Sequence, residues 1–230
     1  MSSIGRRVTW LSAVTKEKQM KKSKAETAET RKRILEAAAK AFRKQGISAT
    51  GVAEIMATAG LTHGGFYRHF SSKDQLVTEA LSATEKNLVL DSLAAADEGP
   101  EALLNVFKDY VTREYRDNVE DGCSLAAMGS ELVRASEDTR HAATASLRQI
   151  VETVAPFMRV QDGEERTDTA LGLLTNMIGA VTMARMADDP ALSDRILETT
   201  RRRIERAISL KAAKPKRAAR EEEAVDAQAS

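Results

Sequence analysis

Apolar residues recur along this chain at intervals of three and four positions, which is the spacing of one face of an α-helix. The first such stripe lies within residues 27–45, and Gly46 ends it. It consists of Ile34, Leu35, Ala38, Ala41 and Phe42. Further helices are predicted over residues 73–96, 100–117, 124–135, 137–158, 165–187 and 190–210. Because no run alternates apolar and polar residues as a strand does, we predict an all-α fold.

Two shorter helices are predicted within residues 51–70. The apolar face of the first consists of Val52, Ile55, Met56 and Ala59. Gly60 ends this helix, and Thr62 is the predicted N-cap of the second. Leu61 precedes the cap and can pack on Phe66 as a hydrophobic staple. Two short helices joined by a glycine-containing turn predict a helix-turn-helix, whose second helix fits the major groove of DNA.

The composition of the second short helix suits an outside partner better than a protein core. Gly64 and Gly65 occupy its first turn, although a glycine within a helix costs about 1 kcal/mol relative to alanine. The core of this region is predicted to hold Phe42, Ile55, Phe66 and Phe70. We interpret the remaining surface as one that DNA approaches closely, and the alternative is a helical hairpin with no nucleic-acid role.

The same stretch resembles the signature of the TetR family of bacterial transcriptional regulators. The likeness is carried by G-L-T-H-G-G-F-Y-R-H-F at residues 60–70 and by S-K-D-Q-L at residues 72–76. At Gly51, where the family more usually carries Ser or Thr, the chain departs from the pattern. Because Gly51 caps a helix only weakly, we predict that Thr50 supplies both the cap and any phosphate contact made there.

The resemblance covers about residues 28–88 and implies two domains with different functions. A DNA-binding head would span residues 25–88, with its helix-turn-helix motif at 51–70. A helical body at residues 89–210 would bind a small-molecule effector and pair two subunits through its last two helices. Base edges would be met by Thr62, His63, Gly64 and Gly65. Phosphates and other DNA contacts would fall to Tyr67, Arg68, His69 and Lys73.

The distribution of charge supports a nucleic-acid partner, although the net charge of the chain is only +1. Residues 1–81 carry 15 basic and 7 acidic side chains, whereas residues 82–230 carry 20 and 27. A basic head on an acidic body is typical of a DNA-reading domain joined to a domain with another task. Residues 1–24 are predicted to be a disordered extension, with Met20 as a possible natural start, and residues 211–230 a disordered tail.

Several classes of protein are disfavoured by what the sequence lacks. Its single cysteine cannot form an intramolecular disulfide, and no apolar stretch reaches the length of a membrane span, so a bacterial cytoplasmic, nucleoid-associated protein is expected. The histidines, His63, His69 and His141, have no metal-site spacing, and no catalytic constellation is found. We therefore expect no metal, no cofactor and no enzymatic activity.

Cys123 follows Gly122 at the predicted start of a helix, where the helix dipole stabilises a thiolate. One interpretation is a sensor of electrophiles or oxidants. The alternative is an ordinary small residue at a helix N-terminus, and the adjacent Glu120 and Asp121 favour it.

The apolar stripes of the body admit two interpretations. Candidate pocket residues are Phe107, Tyr110, Cys123, Met128, Leu132, Asn176 and Met177. They could equally form an ordinary bundle core. The predicted subunit interface holds Leu171, Leu174, Ile178, Val181, Ile196, Ile204 and Ile208.

Taken together, the sequence predicts a homodimeric repressor that a small molecule releases from a palindromic operator. The alternatives are a constitutive or architectural DNA-binding protein without an effector, and an enzyme with a fused DNA-binding head.

Overall fold

Nine α-helices and two short 3-10 helices form the described part of the chain, a computed structural model that covers residues 5–160, 163–208 and 210. The α-helices are α1 (Gly5–Gln45), α2 (Val52–Thr58), α3 (Lys73–Glu98), α4 (Pro100–Tyr110), α5 (Arg113–Asp117), α6 (Ser124–Leu132), α7 (Glu137–Val154), α8 (Arg166–Met186) and α9 (Pro190–Ala207). The 3-10 helices are His63–Arg68 and Ala155–Phe157. Over these residues the all-α prediction is confirmed, since their β-type pairing is a single bridge between Met158 and Ile208.

The first helix is much longer than expected. It begins at Gly5, whereas the sequence analysis expects disorder over residues 1–24 and a helix from about residue 27. The correction has a simple cause, because no glycine or proline interrupts residues 6–45 and the run is rich in Lys, Glu, Ala and Arg, which favour helix. Residues 1–4 and the predicted tail at 211–230 lie outside the described residues.

Local capping explains where three of the helices begin. The helix expected over 100–117 is divided in two, because the Thr112 hydroxyl accepts a hydrogen bond from the Tyr115 amide and so starts α5 anew. Ser136 and Asp189 are the N-caps of α7 and α9, since each side chain accepts a hydrogen bond from a backbone amide of the first turn that follows. These short-range signals are the ones that a sequence carries most directly.

The helices enclose two apolar cores. The head core contains Phe42, Ile55, Phe66 and Phe70, each at most 1% exposed, as predicted. The body core lies among α4, α7, α8 and α9. Met128 and Leu132 of α6, which the sequence analysis places in a ligand pocket, are instead buried in the head core. Helix α6 therefore packs on both cores, since its Ala126 is buried in the body core.

The last two helices pack against each other, and this changes the predicted subunit interface. Leu174, Val181, Ile204 and Ile208 are buried in the body core of their own protomer and cannot face a partner. Large apolar side chains that do reach the surface of α8 and α9 are Leu171, Met183, Met186 and Leu192. Of the predicted set, Leu171 is thus the member that is exposed.

Candidate nucleic-acid interface

The turn between α2 and the 3-10 helix His63–Arg68 is closed by a glycine in the left-handed conformation. Gly60 has φ of 71°, and its amide donates to the Ala57 carbonyl at 2.9 Å. The Leu61 amide donates to the Met56 carbonyl, also at 2.9 Å. This pair of bonds is a Schellman motif, which satisfies the last carbonyls of α2 and reverses the chain. The predicted helix stop at Gly60 is therefore confirmed.

The second element of the motif is a six-residue 3-10 helix instead of the α-helix expected. Thr62 occupies its N-cap position with extended backbone angles, but its side chain makes no capping hydrogen bond. Phe66 points inward and stacks on Phe70, with 5.7 Å between the ring centroids. The exposed residues of this segment are Thr62, His63, Gly64, Tyr67 and Arg68. They are the polar and small residues predicted to face DNA.

The protein interior does not require the two glycines of this segment. A Cβ atom at Gly64 would meet open space, and one at Gly65 would make an ordinary 3.6 Å contact with the Met56 methyl group. Neither residue has a positive φ angle. Because the fold could hold alanine at both positions, the glycines suit the close approach of a molecule from outside.

The predicted role of Thr50 is wrong. Its side chain is buried, with 1% of the residue exposed, and its hydroxyl donates to the Gly46 carbonyl at 2.6 Å. Gly51 is the N-cap of α2 and makes no side-chain capping bond, while Glu54 accepts a hydrogen bond from Gln45. Thr50 therefore stabilises the loop after α1 through this hydrogen bond, and it neither caps α2 nor reaches the surface.

Lys73 and His69 are held partly inside the head. The Lys73 ammonium donates to the Ile47 carbonyl at 2.6 Å, which leaves two of its three N–H donors for other partners. The Nδ1 atom of His69 is buried and has no hydrogen-bond partner among the described residues. Ser72 caps α3, since its hydroxyl accepts a hydrogen bond from the Gln75 amide at 3.1 Å.

A largely apolar cavity of about 40 Å³ lies in the body, close to the head. It is lined by Ser92, Val106, Phe107, Tyr110, Cys123, Leu125, Leu147, Ile150, Leu174, Met177 and Ile178. Phe107, Tyr110, Cys123 and Met177 were predicted to line a pocket, and the structure brings these four together. Asn176 lies instead in a surface groove between α8 and α9. The lining residues missed by sequence reasoning come from five helices, α3, α4, α6, α7 and α8, whose packing no sequence pattern revealed.

Cys123 and Tyr110 bring polar groups to the cavity lining, and Tyr115 packs against Tyr110. Cys123 is the N-cap of α6 and is 5% exposed. Burial raises the pKa of Tyr110 well above its ordinary value, and the neighbouring Cys123 adds to the effect. Burial also raises the pKa of Tyr115, whose ring lies 4.5 Å from that of Tyr110, although Arg185 opposes it. At neutral pH both phenols therefore keep their protons.

Basic residues at the end of α1 contact the turn that precedes α6. Arg43 is 7% exposed, and its Nε atom donates to the Glu120 carbonyl at 2.5 Å. Lys44 pairs with the Glu120 side chain at 2.5 Å, and Lys40 pairs with Asp121 at 2.8 Å. Burial lowers the pKa of Arg43, while the Lys40 ammonium lowers the pKa of the Asp121 carboxyl. Head and body are thus joined by polar contacts beside the cavity.

Comparison with known proteins agrees with this geometry. Residues 34–80, which include the whole helix-turn-helix, match the family model described as "Bacterial regulatory proteins, tetR family". The helix-turn-helix region of this chain is similar to that of the TetR family. The resemblance predicted from residues 60–76 is therefore confirmed.

Curated TetR-family relatives match this chain over part of their length. It is 38% identical over 104 residues to the HTH-type transcriptional regulator AcrR of Shigella flexneri, covering 42% of this chain and 48% of that protein. It is 36% identical over 102 residues to the HTH-type transcriptional regulator TtgR of Pseudomonas putida, covering 40% of this chain and 48% of that protein. The chain spans about half the length of these relatives.

The fold extends further than the sequence likeness. A TetR transcriptional regulator from Chloroflexus aurantiacus superposes with a TM-score of 0.63 at 25% identity, covering 80% of this chain and all of that one. Within the described residues, no helix is long and apolar enough to cross a membrane, and no group of three or more His, Cys, Asp or Glu side chains is placed to hold a metal ion.

Proposed function

We propose that this chain is a homodimeric transcriptional repressor of the TetR family that binds a palindromic operator and is released from it by a small molecule. The observation that carries the proposal is the exposed segment 62–68. It presents polar side chains and two structurally dispensable glycines on a head whose surrounding sequence is strongly basic. A surface of this kind suits the phosphate backbone and base edges of duplex DNA.

DNA contact is proposed for each exposed member of the segment. Thr62, His63 and the glycine backbone would lie at base edges, because they form the first turn of the 3-10 helix. Tyr67, which is 71% exposed, and Arg68 would reach phosphates beside the groove. His69 and Lys73 would flank them. We propose no DNA contact for Thr50 or Gly51, because Thr50 is buried and Gly51 has no side chain.

Dimerisation is proposed through the groove between α8 and α9. This groove has a volume of about 390 Å³ and contains the exposed side chains of Met183 and Leu192. Exposed apolar groups on two adjacent helices suit a four-helix interface with a second copy. A two-fold axis would then present two heads to successive major grooves, about 34 Å apart, as a palindromic operator requires.

Release is proposed to begin in the body cavity. Its lining is almost entirely apolar, which suits an uncharged apolar molecule. Cys123 and Leu125 line the cavity at the start of α6, and Leu132 at its end is buried in the head core. A ligand that prefers a shifted α6 would move the equilibrium between the two positions of this helix, and with it the head. The size of that shift is set by the difference between the ligand's affinities for the two conformations.

Selection of random duplex DNA by the purified full-length chain tests the proposal. It should return a palindrome, and fluorescence anisotropy should then give its affinity. We expect Tyr67→Ala to weaken binding about tenfold, as the loss of a charge-assisted phosphate contact would. Glu152→Gln is the control, because Glu152 is exposed on α7. Recovery of no preferred sequence, or equal affinity for Tyr67→Ala, would contradict this placement of the DNA surface.

The effector is tested on the same complex. Compounds from a library of uncharged apolar molecules should lower operator affinity, and Leu147→Phe, which reduces the cavity, should abolish that effect while the free protein still binds DNA. If neither cell extract nor any library compound changes operator affinity, the chain is a constitutive DNA-binding protein.

A further inference from the structure

We infer that Glu131, a residue of the body, positions Lys73 for its contact with DNA through the peptide groups of Ile47. The inference rests on the proposed DNA-binding function and adds to it a named contact between body and head. Glu131 lies in the last turn of α6, and Lys73 is the first residue of α3.

The backbone amide and the backbone carbonyl of Ile47 are both hydrogen-bonded to charged side chains. The Glu131 carboxylate accepts the Ile47 amide at 3.1 Å and the Ser48 amide at 2.9 Å. The Ile47 carbonyl accepts the Lys73 ammonium at 2.6 Å. A carboxylate that accepts two backbone amides makes charge-assisted bonds, which are stronger than bonds between neutral groups. The loop is therefore held from the body on one side and from α3 on the other.

The loop is shaped to admit this carboxylate. Gly46 has φ of 89°, and a Cβ atom at this position would run into the Glu131 side chain. The Thr50 hydroxyl holds the Gly46 carbonyl from the opposite direction, through a 2.6 Å bond. Without Glu131, two adjacent amides at the end of α1 would lose their acceptor. The conformation of residues 46–50 thus depends on a side chain that the head does not contain.

Lys73 depends on the same loop for its position. Its side chain is half-buried, and its ammonium has one described protein partner, the Ile47 carbonyl. The two remaining N–H donors are available to a phosphate. Lys73 is separated by four residues from the end of the exposed segment 62–68, so a small displacement of its anchor changes how it meets DNA. Glu131 is accordingly a positioning residue that acts on DNA through Lys73.

The same helix connects this contact with the cavity. Helix α6 has nine residues, about 13 Å in length, with Cys123 and Leu125 at the cavity end and Glu131 at the loop end. Hydrogen bonds weaken steeply beyond about 3.5 Å, so a shift of α6 of about 1 Å along its axis would break the bonds to Ile47 and Ser48. A cavity occupant could release Lys73 by this route.

A double-mutant cycle with the full-length protein tests the inference. Operator affinity is measured by anisotropy over a range of salt concentrations for the wild type, Glu131→Gln, Lys73→Met and the double variant. We expect each single variant to bind about tenfold more weakly and to lower the salt slope by about one, the value for one lost phosphate contact. The double variant should bind no more weakly than Lys73→Met alone. Glu152→Gln is the matched control and should leave affinity and slope unchanged.

Additive losses would overturn the inference, because Glu131 would then act independently of Lys73. An unchanged salt slope in Glu131→Gln would overturn it as well. Should Glu131→Gln fail to fold by circular dichroism, Glu131→Asp replaces it in the cycle, with the same requirement of non-additivity. Failure of the wild type to select any operator would instead refute the proposed function.

Discussion

The Arg43 guanidinium of α1 donates a hydrogen bond to the backbone carbonyl of Glu120 at 2.5 Å, across the boundary between head and body. Arg43 is almost fully buried, and burial lowers its pKa because the charged form loses water. Asp121, whose carboxylate also faces the end of α1, partly compensates for that loss. Together with the Lys40, Lys44 and Glu131 contacts, this bond connects α1 and the loop after it to the segment that carries α6.

Replacement of Arg43 by methionine should lower the free energy of unfolding by about 1–3 kcal/mol, the cost of leaving buried hydrogen-bond groups without partners. Urea denaturation measures this directly. Lys44→Met is the matched control, since Lys44 meets the same Glu120 residue from an exposed position and should change stability little. Equal losses in the two variants would show that burial at Arg43 makes no special contribution.

Two glycines with positive φ angles should respond differently to alanine. At Gly60, with φ of 71°, a Cβ atom meets open space, so Gly60→Ala should cost only the left-handed backbone penalty of about 1–2 kcal/mol. At Gly46, with φ of 89°, the Cβ atom also strikes Glu131, so the loss should be larger. Thermal unfolding of both variants compares them. A Gly46→Ala variant as stable as Gly60→Ala would contradict the described approach of Glu131.

The buried tyrosines predict a loss of stability in alkali. Burial raises the pKa values of Tyr110 and Tyr115, so the folded chain keeps phenol protons that the unfolded chain releases above about pH 10. The free energy of unfolding should be insensitive to these groups below pH 10. Above it, the free energy should fall by about 1.4 kcal/mol per pH unit for each phenol.

Urea titrations between pH 9 and pH 11 measure this slope. Tyr115→Phe should reduce it, since one of the two buried phenols is gone, whereas Tyr67→Phe should not, because Tyr67 lies on the surface. An unchanged slope in Tyr115→Phe would show that its phenol does not contribute.

Subunit association should depend on the groove between α8 and α9. Leu192 is 50% exposed and Met183 52% exposed, and a carboxylate at either position would be desolvated in a four-helix interface. We expect Leu192→Glu to sediment as a monomer of about 25.1 kDa and the wild type at twice that mass. Val133→Glu, at an exposed apolar residue that follows α6, is the control and should stay dimeric. A dimeric Leu192→Glu would move the interface elsewhere.

Short-range features were predictable because they depend on neighbours in sequence. The stop at Gly60, the caps at Ser72, Ser136 and Asp189, and the inward stacking of Phe66 all follow from local periodicity and turn chemistry. The same signals gave a wrong prediction where a side chain had more than one nearby hydrogen-bond partner. Nothing in the sequence near Thr50 indicated that its hydroxyl would turn inward to Gly46 instead of capping α2.

By itself, the sequence determined an all-helical chain with a helix-turn-helix of the TetR type and the residues of that motif exposed to a partner. Only the tertiary structure decided which apolar residues line the cavity, which are core and which remain on the surface of α8 and α9, because an apolar stripe looks the same in all three places. It also decided that Glu131 meets Ile47, 84 positions away. Contacts at such separation arise from the packing of whole helices, and no local pattern encodes them.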